Sequence, residues 1–155
     1  MKMTSSVLIH RTPEEVWRFL GDPANVTLWD RGVGAVEEDP NQPRGVGYEF
    51  DTLADAKFKL PDQGRMSYRI KMADETAGRC IVELTSRTGN ARFFRTAEWQ
   101  FDVQAAPEGA QLTCSAVFSL RWLYLFLGPL LYINQKAILI DLNLLKSRIE
   151  AAETR

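Results

Sequence analysis

The chain has 155 residues, 45% of them hydrophobic and 25% charged, with a formal net charge of −1. That length suits one domain with a substantial core, and the near-neutral balance offers no field for nucleic acid or an anionic membrane. A single histidine excludes a histidine-rich metal site, and two cysteines, Cys80 and Cys114, provide neither zinc-type spacing nor a disulfide framework. The default setting is therefore reducing and cytoplasmic.

The opening Met1 to Ser6 is too polar, and the apolar stretch after it too short, for a signal peptide. Met3 to His10 reads as a strand with Val7 and Ile9 on one face. Thr12-Pro13-Glu14-Glu15 then carries a cap, a proline suited to the first helical position and a capping-box glutamate. Val16, Trp17, Phe19 and Leu20 give that short helix its buried stripe. Gly21 ends it, and Asp22-Pro23 starts a second short helix reaching about Trp29.

Strands follow as far as Leu120. Val33 to Glu38 is short and leads into a loop through Asp39-Pro40 and Pro43-Arg44. Gly45 to about Leu60 is extended, with Tyr48, Phe50 and Thr52 on one face and a bulge expected at Ala54-Asp55-Ala56. After the turn Pro61 to Gly64, Arg65 to Met72 alternates, with Met66, Tyr68, Ile70 and Met72 directed inward. Arg79 to Ser86 turns through Thr88-Gly89-Asn90 into Arg92 to Gln104, where Phe93, Arg95, Ala97, Trp99, Phe101 and Val103 share a face. Pro107 to Gly109 turns into Gln111 to Leu120, with Leu112, Cys114, Ala116 and Phe118 inward.

An aromatic and aliphatic run from Trp122 to Phe126 and the pair Gly128-Pro129 precede a helical pattern from Leu130 to about Ala152. The apolar arc of that helix exceeds half its circumference, as if laid into a concave surface. Asp141 lies inside the arc with Ala137 and Leu145 one turn away, so its own helix offers it no i±4 cation. It needs a tertiary partner or water. The most apolar run, Trp122 to Ile133, falls short of the roughly 20 residues of a transmembrane helix, and no membrane-spanning segment is expected. A meander with one apolar face needs a cover, which only the terminal helix is long enough to supply.

The segment Ser6 to Pro23, continued by Asn25 to Trp29 and Gly32-Val33, resembles the opening of START-like (SRPBCC, helix-grip) proteins. Gly128-Pro129-Leu130 and Asp141 to Glu150 look like the closing helix of the polyketide cyclase/dehydratase branch. The resemblance implies an α+β helix-grip fold, one domain over residues 1–155. In it a seven-stranded curved antiparallel sheet, two short helices after the first strand and a long C-terminal helix enclose an apolar cavity. Such proteins bind lipids, polyketides, hormones or other hydrophobic molecules; some cyclise or dehydrate polyketide intermediates, and others carry or sense a ligand. No short catalytic motif transfers residue by residue, and fold alone does not decide the activity.

Candidate site residues therefore follow from facing. Asp141 is the candidate base, and Arg95, among aromatic neighbours, offers a planar donor fork to an enolate or carbonyl oxygen, pairs with Asp141, or lies with Phe93 at a frayed, solvated strand end. Tyr68 is a candidate donor or acid. Tyr48, Trp99 and Phe118 from the sheet, Trp29 at the mouth, Trp122 from the aromatic run, and Asn134 and Ile138 from the helix would contact ligand, and Asp30 sits beside Trp29 at the mouth. Each has a plainer reading as a core residue or structural ion pair. His10, out of phase with Val7 and Ile9, reads as a solvated or capping residue. Cys80 and Cys114 lie two strand spacings apart, too far for a disulfide, and read as small core hydrophobes. Trp122 to Phe126 is either a lid hinged at Gly128-Pro129 or a patch that docks a membrane or protein, with the lack of lysine-rich flanks weighing against membrane.

The sequence thus points to a hydrophobic small molecule as partner, with no nucleic acid and a monomer or homodimer. Three roles stay open: first a cyclase or dehydratase that uses neither metal nor organic cofactor, then a non-catalytic carrier or sensor, and last a protein-interaction role through the aromatic run.

Overall fold

The structure, a computed structural model, describes residues 1–133 and 135–152. It opens with strand β1 (Lys2–Ile9), whose alternating burial places Met3, Val7 and Ile9 in the core. Thr12 caps helix α1 (Pro13–Leu20): its hydroxyl accepts from the Glu15 amide at 3.3 Å, and the Glu15 carboxylate accepts from the Thr12 amide at 2.9 Å. Two orphan amides are thereby satisfied at once. A 3₁₀ turn at Pro23–Asn25, capped by Asp22, leads directly into the single-turn helix α2 (Val26–Trp29).

Six strands follow: β2 (Val33–Glu38), β3 (Glu49–Ala54), β4 (Met66–Asp74), β5 (Arg79–Leu84), β6 (Phe94–Ala106) and β7 (Gly109–Leu120). They form one antiparallel sheet in the order β1-β7-β6-β5-β4-β3-β2. The first strand closes against the last, so β1 and β2 are the edges and the two short helices bridge the sheet between them. The expected strand Gly45 to Leu60 is shorter, because the chain leaves the ladder at Ala54 and makes 3₁₀ turns at Ala56–Phe58 and Pro61–Gly64.

Register shifts at Val33/Ala35, Ile70/Met72 and Phe94/Thr96 each insert one extra residue, which bends the strand and steepens its twist. They curl the sheet into a trough, and they also reverse the side-chain phase. Two expectations fail for that one reason. Met72, expected inward, lies beyond the extra residue Lys71 and is 42% exposed. Arg95 is itself the extra residue of its bulge and is exposed; Phe94, rather than Phe93, joins Ala97 and Trp99 in packing against the core.

The trough is covered by α4 (Gln135–Ala151), preceded by a 3₁₀ segment Trp122–Leu127 and a short helix α3 (Gly128–Ile133). Among the described side chains of α4 one stripe is buried, made of Ile138, Leu142, Leu145 and Ile149, at the spacing of one helix face. Of the wide arc read from the sequence, Leu130, Ile133 and Ile140 are exposed. The far end of α4 is pinned to the first strand: the Lys146 ammonium donates to the Leu8 carbonyl, and the Arg11 guanidinium donates to the Glu150 carbonyl at 2.6 Å. The main core lies between α4, α1 and strands β1, β6 and β7, with a smaller cluster of Tyr48, Phe50 and Ile70 towards the other edge.

Candidate functional site

Beneath α4 the trough is not filled. A cavity of about 110 Å³ is walled by Trp29, Val33, Phe50, Val82, Trp99 and Phe101, and roofed by Ile138 and Leu142. A second chamber of about 190 Å³ adjoins it towards α1 and shares Val26, Trp29, Phe50, Val82 and Phe101 with the first. The Trp29 ring meets Phe101 edge-on, centroids 6.2 Å apart, and both rings line the two spaces. Trp29 is placed there by the capped turn before α2, which sets the direction in which that single turn runs.

Four polar side chains interrupt the apolar wall of the first chamber: Asp30, Thr52, Tyr68 and Asp141. Tyr68 stacks on Phe50 with centroids 5.8 Å apart. Among the described residues its hydroxyl finds the Met66 sulfur, 3.9 Å away, as an acceptor, a weak partner. Burial pushes its pKa up to about 12, and the negative Asp30 adds to the shift, against the side chains of Trp99 and Thr52. At neutral pH it is a phenol with a proton to donate.

Asp30 and Asp141 come from the end of α2 and the middle of α4. The Asp141 carboxylate accepts from Arg31 Nε at 2.7 Å, the tertiary cation that its own helix cannot supply. The Asp30 carboxylate accepts from the Gly32 amide at 2.8 Å. Its pKa is raised, chiefly because burial disfavours the charged form; the neighbouring Asp141 adds to this, while the Gly32 amide and Arg31 oppose it. The two carboxyl groups therefore differ in environment, one ion-paired and the other biased towards its protonated form, the arrangement that separates acid from base roles in hydrolytic and lyase sites. Cys114 also reaches the wall, but burial and the two nearby aspartates push its thiol up to about 12, so it is an inert thiol. Cys80 pairs in register with Phe101, which pairs with Cys114, two strands away as expected.

Of the residues singled out in the sequence, Asp141, Tyr68, Trp29, Trp99 and Ile138 meet on this cavity. Arg95 does not, for the reason given by its bulge. Tyr48 is 1% exposed, yet its hydroxyl donates to Glu38 at 3.0 Å and Arg44 lies over its ring, so it is committed to the β2 edge. Phe118 is buried edge-on against Phe94, in the core and off the cavity wall. Trp122 is 78% exposed and covers nothing in the cavity. Asn134 lies outside the described residues. His10 is exposed just past the end of β1, with its ring nitrogen 3.2 Å from the Glu108 carbonyl in the turn between β6 and β7. The sequence reading did not give Asp30 a chemical role and did not single out Arg31. The only signal was their position immediately after Trp29, since nothing in the spacing links residues 30 and 31 to residue 141.

A family model described as polyketide cyclase/dehydrase and lipid transport matches residues 1–144. The chain belongs to this family. Its helix-grip architecture recurs in solved structures of low sequence identity. A protein of Thermus thermophilus is 18% identical with a TM-score of 0.76, covering 99% of this chain and 100% of the other. The Zhui aromatase/cyclase from Streptomyces sp. R1128 is 12% identical with a TM-score of 0.75, covering 97% of this chain and 93% of the other. Ara h 8.0201 is 13% identical with a TM-score of 0.67, covering 98% and 99%. No curated protein matches the sequence. As a member of the family, the chain carries the polar cluster Asp30, Tyr68 and Asp141 in the space between sheet and C-terminal helix.

Proposed function

We propose that this protein binds a hydrophobic small molecule beneath α4 and acts on it as a cofactor-independent cyclase or dehydratase of a polyketide-like intermediate. The observation that carries this reading is the convergence of two unlike carboxyl groups and a donating phenol on one apolar cavity. An aldol closure needs a base at an acidic carbon and a donor at the receiving carbonyl. Asp141 takes the α-proton, the resulting carbon forms the new C–C bond, and the carbonyl oxygen, held by Tyr68, takes a proton from Asp30. In the dehydration that follows, a second α-proton goes to a carboxylate while a carboxylic acid protonates the departing hydroxyl, which leaves as water. The aromatic walls keep water out and hold the chain folded, so that orientation supplies much of the effect.

The family description and the aromatase/cyclase neighbour agree with such chemistry. The Arg31–Asp141 pair at 2.7 Å favours a second reading, since it neutralises the base in the resting protein and leaves a cavity suited to carriage alone. The test is incubation with a linear poly-β-keto thioester, with products read by mass spectrometry. The enzyme reading expects a product lighter by one water and a loss of about 100-fold or more in rate for Asp141→Asn, within the usual range for general acid–base catalysis. Tight retention of the unchanged thioester, equal in wild type and Asp141→Asn, supports the carrier and overturns the enzyme.

A further inference from the structure

We infer that the 3₁₀ segment Trp122–Leu127 and helix α3 form a docking surface for an anionic lipid bilayer. The segment leaves its apolar side chains in solvent: Trp122 is 78% exposed, Phe126 73% and Ile133 74%, with Leu123, Leu125 and Leu130 also exposed. A soluble monomer rarely leaves so large a continuous apolar face without a use for it. What the face is for is indicated by its rim.

The sequence holds no Asp or Glu from Leu84 to Ala97 or from Ser119 to Ile140, although those stretches contain Arg87, Arg92, Arg95, Arg121 and Lys136. The fold brings the two stretches together. The Arg121 amide donates to the Phe93 carbonyl at 3.0 Å, and its guanidinium donates to the Arg87 carbonyl at 3.1 Å. Tyr124 meets Phe93 edge-on at 4.9 Å, and the Arg92 guanidinium lies over the same Phe93 ring at 4.7 Å. All four arginines are exposed, and among the described residues none of them forms a salt bridge with a carboxylate. The bulge that removes Arg95 from the cavity adds it to this fringe. The missing basic flank of the aromatic run is thus supplied from a distant loop.

Tryptophan, phenylalanine and leucine ringed by arginine match the headgroup boundary of a negatively charged bilayer, where the apolar side chains enter and the cations stay at the phosphates. A second copy of the chain fits less well, because a two-fold contact would bring the same uncompensated fringe together twice. Insertion across the bilayer is not implied. No single described helix is long and apolar enough to cross, and α4 is committed to the core through Ile138, Leu142, Leu145 and Ile149. This surface does not depend on what the cavity binds.

The test is sedimentation of the full chain with vesicles of phosphatidylcholine alone and of phosphatidylcholine with phosphatidylglycerol, at low and high salt. Binding is expected to the anionic vesicles only and to weaken with salt. Trp122→Ser/Phe126→Ser should lose at least about tenfold in affinity, by burying less apolar area. Arg92→Gln/Arg95→Gln should lose about 25-fold, at roughly fivefold per cation near the surface. The arginine variant leaves the apolar face untouched and serves if the other proves unstable. Failure to bind anionic vesicles, equal binding to neutral ones, or unchanged binding of the arginine variant would overturn the proposal. So would a dimer in solution that Phe126→Ser converts to monomer, since the face would then belong to a second copy.

Discussion

At the scale of single residues, the informative group is Asp30, whose carboxyl is largely withdrawn from water near Asp141 and accepts from the Gly32 amide. A carboxyl that protonates more readily in the folded chain than in the unfolded one favours folding most at acid pH. That contribution is complete below the ordinary value of 3.8 and is lost as pH rises through the raised folded value. Asp30→Asn keeps the acceptor for the Gly32 amide and removes the titration. The variant should therefore be more stable than wild type towards urea at neutral pH, with the difference closing as pH falls to 3.8 and below. An Asn variant that is less stable at neutral pH would show that the carboxylate charge is wanted there. Arg31 is half exposed, so its pairing with Asp141 contributes only about 1 kcal/mol or less to stability. Its larger effect is on the electrostatics of the cavity.

At the scale of elements, α4 divides its apolar residues between two destinations. Leu145 is fully buried, and Leu139, on the same helix, is 43% exposed. Leu145→Ala should cost about 2–5 kcal/mol, whereas Leu139→Ala should change stability by about 0.5 kcal/mol or less; chemical denaturation of both variants measures the contrast. Hydrophobic periodicity located this helix and its wide arc, but an apolar side chain carries no mark that distinguishes burial against the sheet from exposure on the outside. The capping box at Thr12 and Glu15, the Asp22-Pro23 start and the turn residues were legible because each places a specific chemical group at a specific backbone position. The bulges were not. One extra residue inverts the alternation, and although Gly34 lies at one of them, Lys71 and Arg95 have no such signature. For that reason the meander of β2 to β7 could be read, while the outward facing of Arg95 and Met72 could not.

At the scale of the whole molecule, the candidate site exists because two distant parts of the chain converge. The turn of α2 delivers Trp29, Asp30 and Arg31 to one side of the trough, and the middle of α4 delivers Ile138 and Asp141 to the other. Half of the site was legible, namely the side chains whose facing follows from an unbroken period. The Asp30–Arg31–Asp141 cluster depends on how the short helices seat against α4, which no local pattern encodes. Each chamber is smaller than the roughly 300 Å³ usual for a drug-sized ligand, so a ligand of that size would have to occupy both, past the side chains that line the two. The central claim, that the space under α4 receives a hydrophobic ligand, is tested most directly by fluorescence titration with anilinonaphthalene sulfonate. The titration begins with the Trp122→Ser/Phe126→Ser background, in which the exposed face no longer competes for the probe. It is then repeated with Ile138→Trp added, which fills the cavity from its roof at a cost of about 1–3 kcal/mol in stability. The account predicts one saturable site in the background variant, weakened at least tenfold once the cavity is filled. Equal affinity in the two variants, both cooperatively folded, would contradict it.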